Sequence, residues 1–335
     1  MPEPIAHRGP ARAGAKPEIS DLRQLTEVRA RRPEAIAAAA AHRRRPAPHQ
    51  GKLLIIAADH PARGALRAGA DAYAMGDRAG LLHRIRIALE RPGVHGVLGT
   101  PDILEDLLLL GALDDKVVFG SMNRGGLAGT VFEVDDRFTG YDAAGIARSG
   151  FDGGKMLLRI DPDDPATAGT LQACATAISE LAERRLIAMV EPFIAHRTAE
   201  PTTADRRGGP LRNELTADAM VRAVTVAAGL GSTSAYTWLK VPVVDDMDRV
   251  LSATTLPALL LGGEVPDDPD AAFARMRKAL AHPAAQGLVI GRSLLYPPGR
   301  TGPGEPAGGR TPGAGEGGSR TADVADAVDR AVSLL

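Results

Sequence analysis

Lys240 lies in the apolar stretch Ala-Tyr-Thr-Trp-Leu-Lys-Val-Pro-Val-Val, residues 235–244. A short run of that composition predicts a buried strand. The chain has 40 basic residues, and only six are lysine: Lys16, Lys52, Lys116, Lys155, Lys240 and Lys278. Arginine supplies the rest of the positive charge. A lysine inside an apolar strand suggests a need that arginine cannot meet. A desolvated ammonium can lose its proton and attack a carbonyl as a neutral amine, whereas a guanidinium stays charged. Lys155, in Gly-Gly-Lys-Met-Leu-Leu-Arg-Ile (153–160), has the same setting. Two strand lysines in so lysine-poor a chain suggest Schiff-base chemistry. The plainer alternative is a strand-end lysine whose head snorkels to water.

The elements that must position these lysines follow a rhythm that begins near residue 52. Apolar runs at 53–58, 96–99, 117–120, 155–160, 187–192, 237–241, 258–262 and 288–291 alternate with helical patterns at 79–90, 103–110, 166–184, 217–228, 246–252 and 270–281. Continuous apolar strands separated by helices imply parallel βα units. Eight of them over about 240 residues match an α/β (β/α)8 TIM barrel. A doubly wound open sheet is the alternative, but no Gly-x-Gly-x-x-Gly follows the first run, so its dinucleotide-binding form lacks support. Residues 1–50 read as an N-terminal extension, loose over 1–18, with one helix over 20–45 capped by Ser20 and ending in Arg43, Arg44 and Arg45. Residues 51–335 read as the barrel domain. A Gly/Pro-rich, disordered insertion is expected over 299–320, before a closing helix over 321–335.

In a (β/α)8 barrel, chemistry is built on the C-terminal ends of the strands. Here those ends carry Asp59 and His60 after the first run and Asn123 and Arg124 after the third. Lys155 lies on the fourth, Glu191 on the fifth and Lys240 on the sixth. Each alone has a bland reading: Asp59 as a helix cap, Glu191 as a solvated loop carboxylate, the glycines as turn residues. Together, two carboxylates and two lysines would point into one bowl, where paired charges can keep one lysine protonated and depress the pKa of the other. Gly262 and Gly263 end the seventh run, and Gly291, Arg292 and Ser293 end the eighth. That is the usual phosphate site of phosphosugar barrels, with glycine N–H groups and an arginine fork facing the anion.

Composition narrows the classes further. Hydrophobic content of 44%, charged content of 24% and a net charge of −1 describe a globular chain with no general pull toward nucleic acid or anionic membranes. The N-terminus has no apolar core of a leader, and no run approaches the roughly 18 apolar residues of a membrane span, so a cytoplasmic protein is expected. The single cysteine, Cys174, falls in an alanine-rich helical run and reads as a packed core thiol. Of eight histidines only His60 and His196 fall near strand ends, and a catalytic zinc normally takes three protein ligands, so neither a metal nor a cofactor is expected.

Over residues 50–297 the chain resembles the class I aldolases of the deoxyribose-phosphate, tagatose-bisphosphate and archaeal-type fructose-bisphosphate aldolase superfamily. The resemblance is carried by Ala-Ala-Asp-His, by Gly-Gly-Lys-Met-Leu-Leu, by Val-Glu-Pro, by Leu-Lys-Val-Pro, by Leu-Leu-Leu-Gly-Gly and by Val-Ile-Gly-Arg-Ser. Ser-Met-Asn-Arg-Gly-Gly-Leu-Ala-Gly and Asp-Asp-Arg-Phe-Thr-Gly-Tyr look like an actinobacterial branch linked to inositol catabolism. The resemblance implies Lys240 as the Schiff-base lysine, Glu191 as acid/base and Lys155 as the lysine that binds substrate oxygens. It implies Asp59 as the carboxylate facing substrate hydroxyls, and Gly263 with Arg292 as the phosphate grip. The sequence departs from the pattern at Pro61, which replaces a glycine, at the bulky Trp238, and in the loop carrying Asn123 and Arg124.

The function expected is therefore cleavage of a phosphorylated ketose or keto-sugar acid through a lysine Schiff base, by a homo-oligomer whose only partner is its phosphosugar substrate. The substrate is 6-phospho-5-dehydro-2-deoxygluconate if the branch resemblance holds. Deoxyribose 5-phosphate, fructose 1,6-bisphosphate and tagatose 1,6-bisphosphate are the alternatives. The rival classes are a metal-dependent lyase or isomerase and a non-catalytic sugar-phosphate-binding protein.

Overall fold

A computed structural model describes residues 22–47, 50–198, 209–266, 268–298 and 317–335. Eight parallel strands form a closed barrel: β1 (Leu53–Ala57), β2 (Gly96–Gly99), β3 (Val117–Ser121), β4 (Gly153–Ile160), β5 (Ile187–Arg197), β7 (Thr237–Pro242), β8 (Ala258–Leu261) and β9 (Ala285–Ile290). They are hydrogen-bonded in the order β4-β3-β2-β1-β9-β8-β7-β5, and β5 closes the ring on β4. The short β6 (Leu211–Asn213) pairs antiparallel with the outer end of β5. Around the barrel run α3 (Arg78–Glu90), α4 (Pro101–Leu109), α5 (Ala143–Arg148), α6 (Ala166–Glu183), α7 (Ala217–Ala228), α8 (Met247–Leu251), α9 (Pro269–Leu280), α10 (Arg292–Leu295) and α11 (Gly317–Val332). The fold is a (β/α)8 TIM barrel, as the alternation of apolar runs and helical patterns predicts.

The strands form because Leu, Ile and Val runs can bury both faces, one against the helices and one inside the barrel. The inner face is Leu53, Ile55, Ala57, Leu98, Phe119, Met189, Leu259 and Val289, with Trp238 packed beneath Lys240. Trp238 thus fills the barrel interior one layer below Lys240 instead of narrowing the mouth. The outer face joins the helices in one continuous core. Cys174 is buried in that core, and burial pushes its thiol up to about 12, as a packed residue requires. Barrel closure needs a stagger between strands, and it falls partly at Gly287. The β8–β9 register shifts at Ala258/Leu259, and Gly287 has φ 140° with room for no side chain. A Cβ there would lie 2.0 Å from the Leu53 carbonyl oxygen.

Two expectations about the ends of the chain are corrected. The helix expected over 20–45 is two helices, α1 (Leu22–Arg31) and α2 (Glu34–His42), split where Pro33 cannot continue the first. The predicted cap Ser20 and the loose segment 1–18 lie outside the described residues. Arg43 caps the C-terminus of α2 in extended backbone, and Arg44 and Arg45 lie beyond the helix. Buried Arg43 donates to the carbonyls of Lys116 (2.7 Å) and Gly150 (2.6 Å), and Arg44 pairs with Asp115 at 2.6 Å. These contacts latch the extension onto the barrel. The insertion expected over 299–320 lies outside the described residues up to 316, and the closing helix begins at Gly317, a turn before Thr321. Among the described residues no helix is long and apolar enough to cross a membrane.

Candidate active site

Residues alternate inward and outward along each strand. On β4 that period turns Lys155, Leu157 and Arg159 to the interior. On β5 it turns Met189, Glu191 and Phe193 inward, and on β7 Trp238 and Lys240. Glu191 stands between the two lysines. Lys240 Nζ donates to Glu191 Oε1 at 2.8 Å, and Lys155 Nζ is in ion-pair contact with Glu191 Oε2. Lys155 also reaches Asp59 Oδ2 at 3.3 Å. Asp59 Oδ2 accepts in addition from Arg124 Nη2 at 2.6 Å and Ser121 Oγ at 3.1 Å, while Arg124 Nη1 donates to the Asp59 carbonyl at 2.6 Å. Asp59, Lys155, Glu191 and Lys240 are all buried. The result is one chain of alternating charge, Arg124–Asp59–Lys155–Glu191–Lys240, at the C-terminal mouth.

Its electrostatics follow from burial opposed by pairing. Burial alone would push the Glu191 carboxyl up, but the ammonium groups of Lys155 and Lys240 overcome that and hold it at about 2. Burial opposes ionisation of Asp59 too, and Arg124 and Lys155 carry it well below the usual carboxylate range. Burial pushes the Lys155 ammonium down to about 8, with Asp59 and Glu191 opposing the shift. His60 is driven down to about 3 by burial, against the pull of Asp59, so its imidazole is neutral. Its Nδ1 lies 4.0 Å from Asp59 Oδ1 and has no hydrogen-bond partner.

Gly262, Gly263, Gly291, Arg292 and Ser293 gather beside this chain. A Cβ on Gly262 would lie 3.2 Å from Ser293 Oγ, and one on Gly291 would lie 2.4 Å from the Ala57 carbonyl and 3.1 Å from His60 Cε1. Gly291 is thus required by the close approach of β1 to the start of α10. Arg292 is held at 3.3 Å by Glu264, a mostly exposed side chain.

Asn123 is placed differently from its neighbours. Its amide donates to the Leu157 carbonyl at 2.6 Å and accepts from the Leu157 N–H at 2.8 Å, so it ties the β3 loop to β4. His196 is an exposed residue on the β5–β6 arm. Among the described residues no group of three His, Cys, Asp or Glu side chains could hold a metal ion.

Four participants escape a reading of the sequence. Ser121 is the last inward residue of β3. Arg63 lies on the 3-10 turn Pro61–Arg63, which Pro61 initiates, and reaches the carbonyls of Asn123 (2.6 Å) and Gly126 (2.8 Å) and the carboxylate of Asp136. Arg159 and Glu133 face each other at 2.7 Å where β4 meets the long β3–α5 loop. Arg159 alone had a legible signal, two periods of two beyond Lys155.

Residues 51–303 match the Cgl0159-like family, and the chain belongs to it. The crystal structure of Cgl0159 from Corynebacterium glutamicum (Brevibacterium flavum) is 46% identical, with a TM-score of 0.81 over 93% of this chain and 95% of that one. A Schiff-base-forming fructose-1,6-bisphosphate aldolase, from a structural study of its reaction intermediates, is 16% identical, with a TM-score of 0.54 over 89% of this chain and 98% of that one. An archaeal fructose-1,6-bisphosphate aldolase, with its catalytic lysine covalently bound to the carbinolamine intermediate of the substrate, gives 16% and 0.54 over 89% and 97%. At that identity the likeness to the aldolases is one of fold. None of the curated proteins matches the chain in sequence.

Proposed function

We propose that the protein is a class I aldolase that cleaves a phosphorylated ketose through a Schiff base on Lys240. The observation that carries this reading is Glu191 bridging two buried lysines at the catalytic mouth of the barrel. The fold shared with Schiff-base-forming aldolases supports it. Lys155 touches two carboxylates and Lys240 only one, which Lys155 shares. Lys155, still largely protonated at neutral pH, is therefore assigned the charged, substrate-binding role and Lys240 that of the nucleophile. The Lys240 amine adds to the substrate ketone, and the carbinolamine loses water to give an iminium. Glu191 or Asp59 takes the proton of the hydroxyl on the far carbon of the bond that breaks, which is β to the iminium carbon. The electron pair of that carbon–carbon bond moves to the iminium, an aldehyde leaves, and an enamine remains. Protonation and hydrolysis of the enamine release the ketone product and free Lys240. Gly263, Arg292 and Ser293 are assigned the substrate phosphate, with His60 beside them.

Within this class, the resemblance to the inositol-linked branch favours 6-phospho-5-dehydro-2-deoxygluconate, cleaved to dihydroxyacetone phosphate and malonate semialdehyde. The test is the rate of dihydroxyacetone phosphate release from this acid and from fructose 1,6-bisphosphate. Lys240→Ala is expected to lower it by at least about 10³-fold with the fold intact. Near-unaltered turnover in that variant would overturn the reading.

A further inference from the structure

Four buried or half-buried arginines surround the mouth, and they differ in what occupies them. Arg63 serves two carbonyls and Asp136. Arg124 serves Asp59 twice. Among the described residues Arg292 has one hydrogen bond, to the exposed Glu264, and Arg159 has none. Arg159 Nη1 lies 2.7 Å from Glu133 Oε1 but is not aligned to donate; its Nε, like those of Arg63, Arg124 and Arg292, is buried with no partner among the described residues. Glu133 does not depend on Arg159 for its position, because its Oε2 accepts from Gly129 N at 2.9 Å within the same loop.

Among the described residues Arg159 Nε and Nη1 are enclosed without a hydrogen bond, and Nη2 is the nitrogen left in reach of a ligand. A guanidinium NH2 group in reach of the mouth can donate to a carboxylate or phosphate oxygen. Arg159 follows Lys155 and Leu157 on the inward face of β4, its side chain 17% exposed, so it stands beyond the charge chain toward the mouth. It is near enough to Glu191 to feel its charge. Round the barrel, β4 and β9 are opposite: β4-β3-β2-β1-β9 one way and β4-β5-β7-β8-β9 the other. Arg292 directly follows β9. The two incompletely used arginines thus stand on opposite sides of the mouth, with the lysines between.

Building on the aldolase reading of this mouth, we propose that Arg159 is a specificity-determining residue that binds a second anionic group at the far end of the substrate. The substrate class is then a linear sugar derivative with a phosphate at one end, on the Gly263–Arg292 side, and a carboxylate or second phosphate at the other. A singly phosphorylated sugar would leave Arg159 unmatched.

Calorimetry with the full chain tests this without turnover, using three linear six-carbon ligands that have no ketone: sorbitol 6-phosphate, 6-phosphogluconate and a hexitol 1,6-bisphosphate. At least one of the two doubly anionic ligands is expected to bind about tenfold tighter than sorbitol 6-phosphate. A gain for 6-phosphogluconate alone assigns a carboxylate to Arg159, and a gain for the bisphosphate alone assigns a phosphate. Arg159→Gln is expected to remove the gain and leave sorbitol 6-phosphate binding unchanged, and Arg159→Lys to restore part of it. Equal affinities in the unaltered protein, no binding of any ligand, or a gain that persists in a folded Arg159→Gln variant would overturn the proposal. If Arg159→Gln does not fold, an undiminished gain in Arg159→Lys overturns it. Loss of the aldolase reading is registered separately by the Lys240 assay, since none of these ligands forms a Schiff base.

Discussion

Glu191 is the residue on which the site turns, because it is a buried carboxylate facing two ammonium groups. Its carboxyl is held at about 2, below its ordinary value of 4.5. A carboxyl depressed on folding contributes stability that is fully present above pH 4.5 and is lost as the pH falls through about 2. Glu191→Gln should therefore be less stable at neutral pH, by about 3–5 kcal/mol, because two buried ammonium groups lose their shared partner. It should also lose less stability than the unaltered protein between pH 4.5 and 2. Urea unfolding at pH 6 and pH 3 checks both, and parallel losses in the two proteins would contradict the assignment. Lys155 has the opposite sign. Its folded pKa lies below that of the unfolded chain, so its burial costs stability at neutral pH, and that cost is relieved as the pH rises from about 8 toward 10.5. The lysines, Glu191 and Asp59 were legible because charged residues at the ends of apolar strands are rare. Arg63 and Glu133 were not, since a single residue in a long polar loop has no period that says where it points.

At the scale of elements, eight strands were legible from continuous apolar runs; seven lie within three residues of their expected limits, and β5 runs on past its expected end to Arg197. The N-terminal helix was less so. Helical spacing continues through Pro33, and only the missing N–H and the ring of that proline break α1 from α2. The β5–β6 pairing was also hidden, because Leu211–Asn213 is too short to show a period. The barrel's stagger was equally invisible, and part of it falls at one glycine. Gly287→Ala would place a methyl 2.0 Å from the Leu53 carbonyl in a backbone that side chains rarely adopt. It should cost about 3 kcal/mol or more, read as a lowered midpoint in urea unfolding. A change within about 0.5 kcal/mol would show that the β1–β9 seam can relax.

At the scale of the whole molecule, the two faces of the barrel do different work. The extension latches to the barrel through Arg43 on the carbonyls of Lys116, which precedes β3, and Gly150, which precedes β4. It thus holds the end remote from the chemistry. At the opposite end the β1 and β3 loops are clasped by Arg63 and Arg124, and the β3–α5 loop is pinned to β4 by Asn123. The mouth is consequently built from residues far apart in the chain, and a fixed barrel is what brings Asp59, Lys155, Glu191 and Lys240 within hydrogen-bond reach. On the proposed function, this assembly makes a covalent bond to a ketone through Lys240. Incubation with dihydroxyacetone phosphate, reduction with borohydride and peptide mass spectrometry tests it most directly. An adduct is expected on the peptide containing Lys240, and none in Lys240→Ala. An adduct on Lys155 instead, or none at all, would contradict it.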